Sequence, residues 1–395
     1  MNASTQANDK LQSLHFEHLP PLSLYVHFPW CKRKCPYCDF YSHERSTPIP
    51  EKEYIAALCH DLQSALPLIP GRDIHSIFIG GGTPSLISGE GIGQLLSFIK
   101  KNLPVPSNCE ISMETNPGTS DAEKFKAYRD GGINRLSIGI QSFNNQHLLA
   151  LGRIHDANDA KKTVELAKKY FGNINLDLMY ALPFQTVEQV KQDLKTAVAY
   201  APEHLSLYQL TIELHTYFSK NLPDLPESDT VAHMQDIIES MTAHAGYQHY
   251  EISAYALSGK SCQHNLNYWL FGDYLGIGAG AHSKITTTTQ VHRQTRILQP
   301  DTYMKEAKKG TAVEENILCT IQDIGFEFML NALRLYDGFA PELFRQRTSC
   351  SLDIIQKNLD EAKKKGLLYQ DKKLIKPTDK GYQFLSDLQQ IFLPD

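Results

Sequence analysis

Three cysteines fall within eight residues, Cys31-Lys-Arg-Lys-Cys35-Pro-Tyr-Cys38, a C-x3-C-x2-C spacing. In a cubane 4Fe-4S cluster each iron takes one ligand beyond its sulfides. Three cysteines therefore leave one iron open to a small molecule, which suits catalysis on a bound ligand better than electron storage. The competing reading is structural zinc, which wants four closed ligands, often as two paired hooks. No second hook is visible in the chain. Lys32, Arg33 and Lys34 either offset the charge of a thiolate-bound cluster or are ordinary loop charges. The other five cysteines (Cys59, Cys109, Cys262, Cys319 and Cys350) are scattered and read as small buried hydrophobes.

Other chemistry-bearing residues follow at intervals. Gly80-Gly81-Gly82-Thr83-Pro84 is either a tight turn or a place where backbone approaches a ligand closely. Glu114, at the end of the third expected strand, reads as a helix N-cap neighbour or a surface acid, and Asp177 falls on the fifth expected strand. Gln141 and Arg153 bracket the segment QSFNNQHLLALGR, and the run from 262 to 283 is rich in glycine, histidine and aromatics. Taken singly, each of these is more often structural than functional.

These residues must be positioned by regular elements, and the chain alternates apolar β-rich runs with amphipathic stretches. Strands are expected at Leu24–Phe28, Ser76–Gly80, Glu110–Thr115, Arg135–Ile140, Asn175–Tyr180 and Leu205–Thr211. Helices are expected near 51–66, 88–102, 121–130, 156–170, 186–200 and 229–245. Apolar strands separated by helices predict parallel pairing with right-handed crossovers. Six such units are too few for a closed eight-stranded barrel, so the expectation is an open, partial (β/α)6 TIM-like barrel, with a flat doubly wound sheet as the alternative. In barrels the chemistry sits at the C-terminal ends of strands, where the cysteine trio, the glycine run, Glu114, Gln141 and Asp177 all fall. The expected division is a flexible N-terminal arm (1–20), the barrel (21–290) and a C-terminal accessory domain (291–395). In the last part, helices near 320–336 and 351–365 precede a short two-stranded wing, reading as a winged-helix-like or plain α-rich module.

With 395 residues, 39 Lys plus Arg, 44 Asp plus Glu and a formal net charge of −5, the chain is mildly acidic. Nucleic-acid binders usually carry a basic excess, so no nucleic-acid partner is expected. No signal peptide is apparent at the N-terminus, and no apolar run approaches the roughly 20 residues that span a bilayer. A cytoplasmic location is therefore expected, where clustered cysteines point to metal or cluster binding more than to disulfides.

The trio, with Tyr37 before its last cysteine, resembles the radical SAM superfamily. The segments YVHFPWC, GGGTPS, METNPG, RLSIGIQSF, NLDLMYALPFQT, HLSLYQL and YLGIGAGAHS extend that resemblance to the anaerobic coproporphyrinogen III oxidase family and its HemW-type haem chaperone branch. It implies a 4Fe-4S cluster on Cys31, Cys35 and Cys38, with S-adenosylmethionine (SAM) on the open iron and reductive cleavage to a deoxyadenosyl radical. It also implies SAM contacts from Tyr25, Tyr37, Gly81, Gly82, Thr83, Glu114, Gln141, Arg153, Asp177 and Thr211. Two departures from the oxidase favour the chaperone branch. The oxidase carries a further cysteine two positions past the third, where this chain has Phe40, and only 24 residues precede Tyr25. His264-Asn265-Leu266-Asn267-Tyr268-Trp269 resembles the HNxxYW motif of that branch. The haem-binding candidates are His264, Tyr268, Trp269 and His282, since haem iron accepts His or Tyr ligands and aromatic faces can cover the porphyrin. The implied cargo is haem. The implied partners are haem-accepting proteins, a flavodoxin- or ferredoxin-type electron donor, and membranes reached peripherally through partners. Oxidative decarboxylation of coproporphyrinogen III is the alternative activity.

Overall fold

The computed structural model describes residues 14–119 and 121–394. The six expected βα units are present: β1 (Leu22–Phe28), α1 (Glu51–Ala65), β2 (Ile74–Gly81), α2 (Gly89–Asn102), β3 (Glu110–Thr115), α3 (Ala122–Gly131), β4 (Arg135–Gln141), α4 (Ala157–Tyr170), β5 (Ile174–Tyr180), α5 (Val187–Ala199), β6 (His204–Gln209) and α6 (Ser228–His244). The strands lie side by side in sequence order and all run parallel. A doubly wound sheet reverses its strand order at a switch point, and this run has none. Successive right-handed crossovers keep their helices on one face, as an open barrel requires.

The chain then adds β7 (Gln248–Glu251) and β8 (Ala254–Ala256), the short helix α7 (Gln263–Trp269), and β9 (Asp273–Ile277), β10 (His282–Thr286), β11 (Val291–Arg296) and β12 (Val313–Leu318). The strands, with β1 to β6, form one twelve-stranded sheet of order β12-β11-β10-β9-β1-β2-β3-β4-β5-β6-β8-β7. β9 pairs parallel to β1, so the first strand of the chain is internal.

Side chains alternate along the strands. One face carries Leu24, Val26, Ile77, Ile79, Ile111, Met113, Ile138, Leu176 and Leu205, buried in the main core with the helices. The other, facing the barrel interior, carries Ser23, Tyr25, Ser76, Ser112, Glu114, Ser137, Asn175, Asp177 and Ser206. The interior is thus largely polar rather than filled by bulky aliphatic layers.

The expected division at 290/291 falls in the turn between β10 and β11, inside the sheet. Separate cores divide the chain nearer residue 319. The second core gathers α8 (Ile321–Ala332), α9 (Pro341–Thr348) and α10 (Gln356–Lys364), a two-stranded hairpin (Leu368–Gln370 with Ile375–Pro377) and two terminal helical turns. Of the expected flexible arm, residues 1–13 lie outside the described residues. Leu14 and Phe16 are buried in the second core, where Ser349 Oγ accepts from the His15 amide and donates to its carbonyl. That described part of the arm is therefore docked.

Candidate cofactor-binding site

The site is built from strand ends. Past β1, the amides of Gly82 and Thr83 donate to the carbonyls of Phe28 and Trp30 at 2.7 and 2.8 Å, clamping the glycine run onto the segment that leads to Cys31. Only glycine fits there. Gly81 has φ +113°, and a Cβ on Gly82 would sit 2.5 Å from the Trp30 carbonyl oxygen.

Cys31 is buried and Cys35 and Cys38 are half-buried, all as free thiols. Burial raises the Cys38 thiol to about 11, with Cys31 and Cys35 adding to the rise, so the three sulfurs feel one another. Coordination reverses such a shift, because a bound metal deprotonates its thiols outright. Among the described residues, no three His, Cys, Asp or Glu side chains converge on a point that one metal ion could occupy. Structural zinc wants a fourth closed ligand beside three thiolates, whereas a cubane takes one protein thiolate on each of three irons. The donor set present fits a cluster.

The loop is fastened from the far side of the barrel. Arg153 directs Nη1 at Cys35 Sγ (3.7 Å) and Nη2 at Asn116 Oδ1 (2.5 Å) and the Gly139 carbonyl (2.9 Å). Asn116 also donates to Thr83 Oγ1 at 3.3 Å. Tyr37 packs on a third apolar cluster formed by Leu151, Leu182, Leu210 and Phe218, and the Phe218 amide donates to the Pro36 carbonyl at 3.0 Å. Gln141 ends β4 at φ +67°, in a turn held by Asp193, which accepts from Ser142 Oγ and the Phe143 amide.

Two carboxylates stand on the inner face of β3 and β5. Glu114 accepts from the Gly81 amide at 3.1 Å, and burial with the neighbouring Asp177 charge raises it to about 8. Asp177 accepts from Ser137 Oγ and Asn175 Nδ2 at 3.0 and 2.7 Å, and burial raises its carboxyl too. Burial is the larger cause for both, because it disfavours the charged form.

Tyr25, Tyr37, Gly81, Gly82, Thr83, Glu114, Gln141, Arg153 and Asp177 are thus gathered at one end of the barrel. Thr211 is exposed beyond the end of β6. The haem candidates separate. His264, Tyr268 and Trp269 lie on α7 at the opposite, N-terminal end of the strands, whereas His282 starts β10 at the mouth, where its charge reaches His27. His264 is 3% exposed, and of the four only His282 presents an exposed side chain. Asn116 stood out only as part of the strand-end run Glu114-Thr115-Asn116-Pro117, with no role of its own, and Phe218 was not singled out. A polar residue followed by proline at a strand end was the available signal for Asn116, and Phe218 carried none.

Residues 25–197 match the radical SAM superfamily model and residues 320–384 the HemN C-terminal domain. The haem chaperone HemW of Haemophilus influenzae is 45% identical over 383 residues, covering 95% of this chain and 99% of that protein. HemW of Escherichia coli is 43% identical over 379 residues, with the same coverage of both. Among solved structures, the radical SAM coproporphyrinogen III oxidase HemN of Escherichia coli aligns with TM-score 0.81 at 24% identity, covering 95% of this chain and 90% of that one. That likeness speaks to the fold. The chain belongs to the radical SAM superfamily and, within it, to the family of the HemW proteins. The cofactors of the superfamily are a 4Fe-4S cluster and SAM.

Proposed function

We propose that this chain is a haem chaperone: it holds a 4Fe-4S cluster and SAM, binds haem and hands it to acceptor proteins. The observation that carries this is end-to-end similarity, 45% identity across 95% of this chain and 99% of the Haemophilus influenzae haem chaperone HemW. Phe40, 59% exposed, stands where the oxidase motif has its further cysteine, which supports the chaperone over the oxidase.

Cys31, Cys35 and Cys38 are the cluster ligands. When bound, the cluster and SAM supply one-electron chemistry at the sulfonium. Glu114 and Asp177 offer negative charge to the cationic groups of SAM, and Gly81 and Gly82 allow backbone contact. Tyr25, Thr83, Gln141 and Thr211 complete its surroundings. Tyr37 and Arg153 brace the cysteine loop. His282, exposed at the mouth, is the haem ligand. The electron donor is a flavodoxin- or ferredoxin-type protein, the compartment is the cytoplasm, and any membrane association runs through partners. Among the described residues no helix is long and apolar enough to cross a membrane.

Anaerobic reconstitution followed by haemin titration tests the reading. A saturable Soret change is expected in the wild type and loss of histidine ligation in His282→Ala. Release of carbon dioxide from coproporphyrinogen III, with SAM and reductant present, would replace chaperone by oxidase.

A further inference from the structure

Helix α7 closes the floor of the barrel. His264 Nδ1 lies 3.1 Å from Ser76 Oγ, which pairs with Ser23 Oγ at 2.7 Å. Asn267 donates to that same Ser23 hydroxyl at 2.9 Å and to the Asp273 carbonyl at 2.8 Å. The two motif side chains thus grip β1, β2 and β9 together, from inside and below. Above the serine pair, the His264 ring contacts Tyr25 and Phe78, with centroids at 6.2 and 5.1 Å. Tyr25 continues the column: its hydroxyl lies 2.9 Å from His27 Nδ1, and His27 Nε2 lies 2.9 Å from the carbonyl of Tyr41, just past the cysteine loop.

Burial lowers the His264 imidazole to about 3, with His75 and Arg135 adding to the fall, so it is neutral packing material at working pH. The outer side of the same segment is tied to the C-terminal core. Arg334 lies over the Trp269 ring at 4.3 Å, Phe271 meets Phe328 edge-on at 5.7 Å, and Arg347 Nε donates to the Leu270 carbonyl at 3.2 Å. A porphyrin could reach His264 only if α7 left this seat, breaking contacts to both cores at once.

We infer that His264 is a positioning residue for the SAM end of the barrel, acting through Tyr25 and His27 on the cysteine loop, and is not a haem ligand. This role presupposes that SAM occupies the strand ends as proposed above. A hydrogen bond and a ring contact make separable contributions, so two substitutions divide them. His264→Asn keeps a polar atom near Ser76 and loses the ring, whereas His264→Phe keeps the ring and loses every ligating nitrogen.

In the reconstituted protein, His264→Asn is expected to weaken SAM binding by about tenfold or more, the scale on which small misplacements act. His264→Phe should stay close to wild type. Both should keep the wild-type haem Soret band and the electron-spin signature of its axial ligand. Leu388→Ala, in the C-terminal core, supplies a comparable loss of melting temperature and should leave SAM affinity unchanged. Loss of the histidine-ligated haem signature in His264→Phe would overturn the inference, as would SAM affinity in His264→Asn equal to that of wild type. A wild-type protein that binds no SAM would instead remove the functional reading on which the role stands.

Discussion

Glu114 carries the clearest residue-scale consequence. Its carboxyl sits near 8 because it is buried beside Asp177 with one amide donor. At neutral pH it is largely protonated, and a cationic ligand binds the ionised form, so binding must release a proton. SAM affinity should therefore rise with pH up to about 8 and level off above it. Titration calorimetry in buffers of different ionisation enthalpy measures the proton count, and Glu114→Gln should abolish the slope while weakening binding. The same raised value makes ionised Glu114 a cost in the empty protein. Stability is intact below the ordinary carboxylate range and declines as pH climbs towards 8.

Asn116 is a different case. It bridges Arg153 and Thr83, so Asn116→Ala leaves a buried guanidinium short of an acceptor. About 1–3 kcal/mol of stability should be lost, read by thermal denaturation, with lower iron content after reconstitution. Cys31, Cys35 and Cys38 stand out by an uncommon spacing, whereas Glu114 and Arg153 were assigned roles only through the family resemblance. Asn116 had no legible role, since one amide at a strand end looks like any turn residue until its partners are placed.

At the scale of elements, the six expected strands and helices match the structure to within a few residues, because each strand pairs an apolar outer face with an amphipathic helix. None of the strands β7 to β12 was foreseen. β10 and β11 read HSKIT and VHRQTR and β12 reads VEENIL, polar runs whose pairing is built outward from β9 rather than set by their own periodicity. Nor was the clasp on the cysteine loop visible. It depends on Phe218, 6% exposed, reaching back from a polar connection to Tyr37 and Pro36. Removing that ring should cost about 3–5 kcal/mol, as for other buried aromatics, and the loss should be local. Phe218→Ala is expected to speed hydrogen exchange in residues 35–38 and iron loss in air, with the far side of the barrel unaffected. Uniform protection across the molecule would contradict a local clasp.

For the whole molecule, charge distribution matters more than total charge. The chain carries −5, yet Lys32, Arg33 and Lys34 stand exposed between two of the proposed cluster ligands. Steering across such a patch accelerates association and fades with salt. Lys32→Glu with Arg33→Glu should slow reduction by an acidic flavodoxin about tenfold at low ionic strength and flatten its salt dependence. Reduction by photoreduced deazaflavin should be unchanged. Equal slowing with both reductants would mean that the loop itself had been damaged.

The placement of β1 has one more consequence, in time rather than in space. This strand leaves the ribosome early, yet one of its neighbours is β9, and the Ala279 amide that donates to Tyr54 beside it comes from 225 positions further along. Until that stretch is translated, β1 keeps one unpaired edge, the kind of edge on which chains aggregate. The cysteine loop hangs from that strand. Metal loading should therefore be a late event on a nearly finished chain, and truncated products ending before residue 273 should accumulate as iron-free, chaperone-dependent species.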